Sequence, residues 1–311
     1  MDRDTLYRIA ARTMAIVDVA RLERPRTKCA LLGLAAAGFL AGIAISIYGQ
    51  PQIFADLNWW PALLLITVGV PITIGLHATD FALSAWLANR RVTLLKACEI
   101  VIIGSAASLL PVPGGTLVRV IGLKMAGADY RSGAAATLLV AAFGLGVSFV
   151  YAGVAVILLG NEVAGAVLAC LGGTALVATL IMTHLLTGSL RISTLVLANK
   201  LLMVFIDAVR ILWSLSALGF DVNLTEASVF VVAGTVGSAI FIVPSGLGVQ
   251  EVLSAAVAPL AGVAATAGFL AASVNRMAAM LLIAPLAGML AWRNRVASAR
   301  AGSDQTQNEP A

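Results

Sequence analysis

The sequence predicts an all-α polytopic membrane protein: about six full transmembrane helices plus two re-entrant helical hairpins, arranged as an inverted repeat. Three observations predict it. Of 311 residues, 60% are apolar and 11% charged, with a mean hydropathy of +0.98, which belongs to polytopic membrane proteins and not to soluble domains. Two apolar runs are broken by Pro-Gly segments, at 111–115 and 244–248. Finally, when both broken runs are read as hairpins that leave by the face they entered, no Lys or Arg falls in an outer loop, as the positive-inside rule demands. The same composition leaves room for about six to eight spans and for no soluble catalytic domain. The pI near 9.4 then marks cytoplasmic loops, and no nucleic-acid partner is expected. Cys29, Cys98 and Cys170 lie in apolar segments without paired spacing, so neither a disulfide nor a metal site is expected, and no cofactor.

The elements follow in order. Residues 1–28 form a basic arm with Arg3, Arg8, Arg12, Arg21, Arg24, Arg26 and Lys28. It is charged ahead of the first apolar run, so it is not a cleavable signal peptide, and it suits the anionic lipids of the inner leaflet. The first membrane repeat covers 29–160. Leu31 to Tyr48 is its first span, and an outer loop with Asp56 leads to Pro61–Leu87, which delivers Arg90, Arg91 and Lys96 to the cytoplasm. Ala97 to Leu110, broken by Pro111-Val112-Pro113-Gly114-Gly115, is a hairpin, because a full span would put Lys124 and Arg131 outside. At about 1.5 Å per residue its first arm reaches past the midplane of a roughly 30 Å core. Ala134 to Leu159 crosses outward. The second repeat, 161–295, starts at the outer turn Asn161-Glu162 and returns through Val163–Leu186. A cytoplasmic loop with Arg191 and Lys200 precedes a span over Leu201–Phe220. After an outer loop with Asp221 and Glu226, a second hairpin breaks at Pro244, and Ala264–Trp292 returns to Arg293. Both termini are cytoplasmic, and 296–311 is expected to be a disordered tail.

The broken segments resemble one another. Gly104-Ser105-Ala106 stands seven residues before Pro111, and Gly237-Ser238-Ala239 seven before Pro244; Gly133-Ala134-Ala135-Ala136-Thr137 is matched by Gly262-Val263-Ala264-Ala265-Thr266. Two inverted halves with a site between them at the midplane are the pattern of transporters.

Pro111-Val112-Pro113-Gly114-Gly115 with Arg119, and Pro244-Ser245-Gly246-Leu247-Gly248-Val249-Gln250-Glu251, also resemble the paired motifs of the flippase-like membrane family. That family includes the transmembrane domain of bacterial lysylphosphatidylglycerol synthetases. Its second motif is usually Pro-x-Gly-Gly-x-Gly-x-x-Glu; the loop here is shorter. The arginine of the family's last span is matched by Arg276. The resemblance spans about residues 30–295 and has no counterpart of the synthetase domain, so it implies lipid translocation without aminoacyl transfer.

The candidate binding residues are Arg119, Gly114, Gly115, Ser245, Gly246, Gly248, Gln250, Glu251, Asn275 and Arg276. A carboxylate at bilayer depth costs roughly 2.5–3.5 kcal/mol on insertion scales. Glu251 is therefore expected to handle a cationic head group or a proton, its other reading being an ion pair that closes the hairpins. Arg119 offers a guanidinium able to clamp a phosphate with two donors, against a plain interfacial arginine. The turns aim backbone N–H groups at an anion. Arg276 serves the pathway or pairs with Asp207 or Glu251. Asp207 and Arg210 share a helix face and neutralise one another, while His77 and Asp80 join helices. Glu251, Asp207 and Asp80 are the candidates for ion or proton coupling. No nucleophile triad, metal cluster or P-loop lysine is present. The expected function is an inner-membrane lipid translocase whose partner is a membrane lipid. The alternatives are a non-transporting accessory protein of lipid or hopanoid biosynthesis and, ranked last, a lipid-phosphate enzyme.

Overall fold

A computed structural model describes residues 40–48, 57–107, 114–187, 189–239 and 248–307. The basic arm, half of the expected first span and the tips of both hairpins, with Pro111, Ser245 and Gly246, lie outside them. The described residues form helices and no strand. They are α1 (40–48), α2 (Trp59–Leu87), α3 (Leu94–Ala107), α4 (Gly114–Met125), α5 (Tyr130–Leu158) and α6 (Glu162–Thr187). Then follow α7 (Leu190–Ala217), α8 (Leu224–Ser228), α9 (Val231–Ala239), α10 (Val249–Val257) and α11 (Ala265–Gln307). Among them, four are long and apolar enough to cross a membrane: α2, α5, α6 and α11 over Ala265–Arg293.

Local chemistry explains the boundaries. Asn58 caps α2 by accepting from the Trp60 N–H at 3.1 Å, and its own N–H reaches the Ala217 carbonyl at the end of α7. Within α2 the backbone widens into a π turn over Leu65–Gly69. The cause is Pro71, which lacks an N–H and whose ring crowds the carbonyl four residues back. Between α5 and α6, Gly160 takes φ 88°, and the Asn161 N–H returns to the Val156 carbonyl at 3.1 Å, a left-handed C-terminal cap that turns the chain in three residues. α11 runs on to Gln307, so the stretch expected to lack structure is helical in backbone as far as that residue.

The tightest packing joins α5 to α6. A Cβ added at Gly153 would stand 2.7 Å from the Gly165 carbonyl oxygen, and one at Gly172 would stand 2.7 Å from that of Gly146. Glycines seven apart on both helices thus let the backbones touch. α6 turns its other face outward, with Val163, Val167, Leu171, Val177, Ile181 and Leu185 exposed, the apolar stripe that a lipid-facing helix needs.

The two pairs of short helices pack as hairpins: α3 on α4, with Ile100 against Gly122, and α9 on α10, with Gln250 against Gly237. Each also reaches across the molecule. α9 packs on α5, where Ser148 and Thr235 share a hydroxyl hydrogen bond of 2.7 Å. α11 packs on α3, where Arg293 pairs with Glu99. α2 and α7 run together through the middle.

One expectation is corrected. Lys200 is not in a loop ahead of a span beginning at Leu201. α7 begins at Leu190, where Ile192 and Val196 join an apolar core with Leu83, Val140 and Phe143. That burial extends the helix backwards past the lysine, which becomes an interior residue.

Candidate functional site

One set of interior polar groups collects along the seam between α2 and α7. At one level the Arg210 guanidinium donates to the Thr73 hydroxyl at 3.2 Å and pairs with Asp207 at 3.5 Å. Its stem passes Gly69, where an added Cβ would stand 3.0 Å from Arg210 Cγ, so the π turn places a side-chain-free surface where the arginine needs room. Further along, the Asn199 amide donates to the Leu76 carbonyl at 3.4 Å. Next comes Asp80, buried, with the Lys200 ammonium 2.7 Å from one carboxylate oxygen and the Arg119 guanidinium 3.6 Å from the other. Arg119 also lies 3.4 Å from His77 Nδ1.

Helical geometry explains why these groups meet. His77 and Asp80 are three apart on α2, as are Asp207 and Arg210 on α7, and Lys200 lies seven before Asp207 on that same face. The first hairpin brings Arg119: Phe81, Val101 and Leu123 share a core that seats α4 on α2. A lysine and an aspartate inside an apolar bundle are tolerable only because each pairs with the other. The balance is nevertheless uneven. Two cations face one carboxylate, and among the described residues no second carboxylate lies within ion-pair reach of either. The side chains of Asp80 and Lys200 are 2% and 8% exposed, that of Arg119 28%, so the surplus charge lies on the open side.

The second hairpin builds a different centre. Glu251 has no exposed surface. It is the third residue of α10, and one of its oxygens accepts the Gly248 N–H at 2.8 Å, the carboxylate arm of a capping box. Gly248 precedes the helix at φ 82°, a conformation glycine adopts without strain. The Arg276 Nε donates to the other oxygen at 2.6 Å, and its Nη2 reaches Glu251 at 3.4 Å and Gln250 at 3.2 Å. Among the described residues this cluster sets one cation against one carboxylate and locks α10 to α11. Beside it, the Asn275 amide oxygen is buried and accepts no hydrogen bond from the described residues.

The residues singled out in the sequence thus fall into two groups. Arg119 joins Asp80 and His77, while Gln250, Glu251, Arg276 and the Gly248 backbone join one another. Asp207 pairs with Arg210 as its spacing implies. Gly114 and Gly115 open α4. Reading the sequence missed Lys200, Asn199 and Thr73. The signal for Lys200 was available: seven residues separate it from Asp207 and ten from Arg210, one helical face throughout. Among the described residues no group of three His, Cys, Asp or Glu side chains is placed to hold a metal ion. Comparison with protein-family models, curated proteins and solved structures finds no match.

Proposed function

We propose that the protein is a flippase-like lipid translocase of the bacterial cytoplasmic membrane, with six spans and two re-entrant hairpins in inverted halves. A polar head group would pass through a midplane site between the halves while its tails stay in the bilayer. The observation that carries this reading is the buried polar seam between α2 and α7, with Arg119 of the first hairpin bringing an unbalanced positive charge to it. In lipid such charges are costly and gather on pathways.

Packing supports the inverted halves. α2 and α7 are the equivalent second spans, and they meet each other. The first arm of each hairpin meets the last span of the opposite half: α9 on α5, α3 on α11. A two-fold relation requires that exchange. The motifs that resemble the flippase-like family agree with it. Complete pairing of Glu251 favours a structural duty for the second hairpin and leaves the first as the side that meets the substrate.

The test is reconstitution of the purified full chain into vesicles carrying a head-group-labelled phospholipid in both leaflets. Protein-dependent exposure of the inner label to a membrane-impermeant quencher is expected. Exposure equal to protein-free vesicles, for anionic and zwitterionic lipids alike, would leave the non-transporting accessory role.

A further inference from the structure

We propose that Arg119, Lys200 and His77 form a binding site for an anionic phosphate group, with Asp80 as the resident counter-ion that the phosphate displaces from Arg119. The lipid source of that phosphate rests on the translocase reading; the site itself does not.

The Lys200 ammonium stands 2.7 Å from one Asp80 oxygen as an ion pair. Arg119 approaches the other oxygen only to 3.6 Å and stands 3.4 Å from His77 Nδ1. A guanidinium carries five donors in a planar fork that suits two oxygens of one anion. Here neither contact is a close two-pronged one, and the Arg119 side chain is more exposed than those of Asp80 and Lys200. Asp80 therefore pairs closely with the lysine and only loosely with the arginine. A singly charged phosphodiester would bring the cluster of two cations and one carboxylate to neutrality, and its oxygens would fill the fork. A cationic head group would add to the surplus and is disfavoured.

Asp80 thus has a second duty. Without substrate it partners one buried and one partly exposed cation; with substrate it stays on Lys200 and yields Arg119. This makes Asp80 a competitor of the ligand, so its removal should strengthen anion binding, a consequence that a purely structural salt bridge does not share.

The experiment measures binding by the full-length protein in a neutral detergent and phosphate-free buffer. The probes are inorganic phosphate, short-chain phosphatidylglycerol, short-chain phosphatidylcholine and short-chain diacylglycerol. Phosphatidylglycerol is expected to bind and diacylglycerol not, with phosphatidylcholine weaker because its ammonium meets the same surplus charge. Inorganic phosphate binding as tightly as the lipid would keep the anion site and assign it to the free ion. Arg119→Gln leaves the Asp80–Lys200 pair intact; it should weaken phosphatidylglycerol binding at least about tenfold, the effect of losing a hydrogen bond to a charged group, with an unchanged melting temperature. Asp80→Asn should tighten binding by a similar factor, and the bound lipid should raise its melting temperature more than that of the wild type. The proposal is overturned if Arg119→Gln binds like the wild type, or if folded Asp80→Asn binds no more tightly. Should Asp80→Asn not fold, the Arg119→Gln result alone decides. Intact binding without lipid movement would sink the translocase reading and leave the site standing.

Discussion

Glu251 has no surface in contact with the surroundings, and both of its oxygens are engaged by Arg276 or by the Gly248 N–H. Removing one partner of such a pair strands the other charge, which typically costs about 3–5 kcal/mol. Glu251→Gln is therefore expected to lower the melting temperature in detergent, and Arg276→Gln in the same chain should restore much of it. If Glu251 handled a head group or a proton instead, the single variant would keep its melting temperature and lose lipid movement, with no rescue by the second change. Asp80 differs by having two cations for one carboxylate. The spacing of His77 and Asp80 made them visible as helix–helix polar residues. Their true partners, Lys200 and Arg119, come from helices more than 30 residues away, beyond the reach of any local pattern.

The α5–α6 pair rests on contact between backbones. A Cβ at Gly172 would come within 2.6 Å of the Val150 nitrogen, whereas Gly173, the next residue, has nothing within 4 Å. Adjacent substitutions should thus act in opposite directions. Gly172→Ala forces the helices apart, and overpacking of this kind costs about 1–3 kcal/mol. Gly173→Ala meets open space and should stabilise the helix by roughly 0.5–1 kcal/mol. Thermal melts of the two variants in one detergent check this, and equal effects would mean that the glycines are not in contact. The helices themselves were foreseeable, since apolar runs bounded by charge and Gly mark α2, α5, α6 and the start of α11 within a few residues. The start of α7 was not. The spacing of Lys200 from Asp207 hinted at a longer helix, and burial of Ile192 and Val196 carries that helix back to Leu190.

For the whole molecule, the proposed topology makes a prediction that no single contact makes. With Cys29, Cys98 and Cys170 replaced, Arg131→Cys should react with an impermeant thiol reagent only from the cytoplasmic side, and Asp221→Cys only from outside. Both positions are exposed and neither caps a helix, so labelling reports access and not unfolding. Reaction of position 131 from outside would make α3 and α4 a full span and end the two-hairpin arrangement. The reciprocal packing of α9 on α5 and α3 on α11 would then need another explanation.

By itself the sequence determined that this is a helical membrane protein, because hydropathy sums over whole segments and needs no knowledge of neighbours. It also marked the Pro-Gly segments where breaks are expected, since Pro lacks a donor and Gly a side chain wherever they occur, and it singled out Arg119, Glu251 and Arg276 as candidate binding charges. The spacing pairs Asp207 with Arg210, but which charges meet between remote helices was decided by tertiary structure. Glu251 belongs to Arg276, and Asp80 is shared between Lys200 and Arg119, because packing brings remote helix faces together at distances that no spacing along the chain encodes. The surplus of one positive charge beside Asp80 exists only in that assembly, for it depends on which carboxylates are near enough to cancel it.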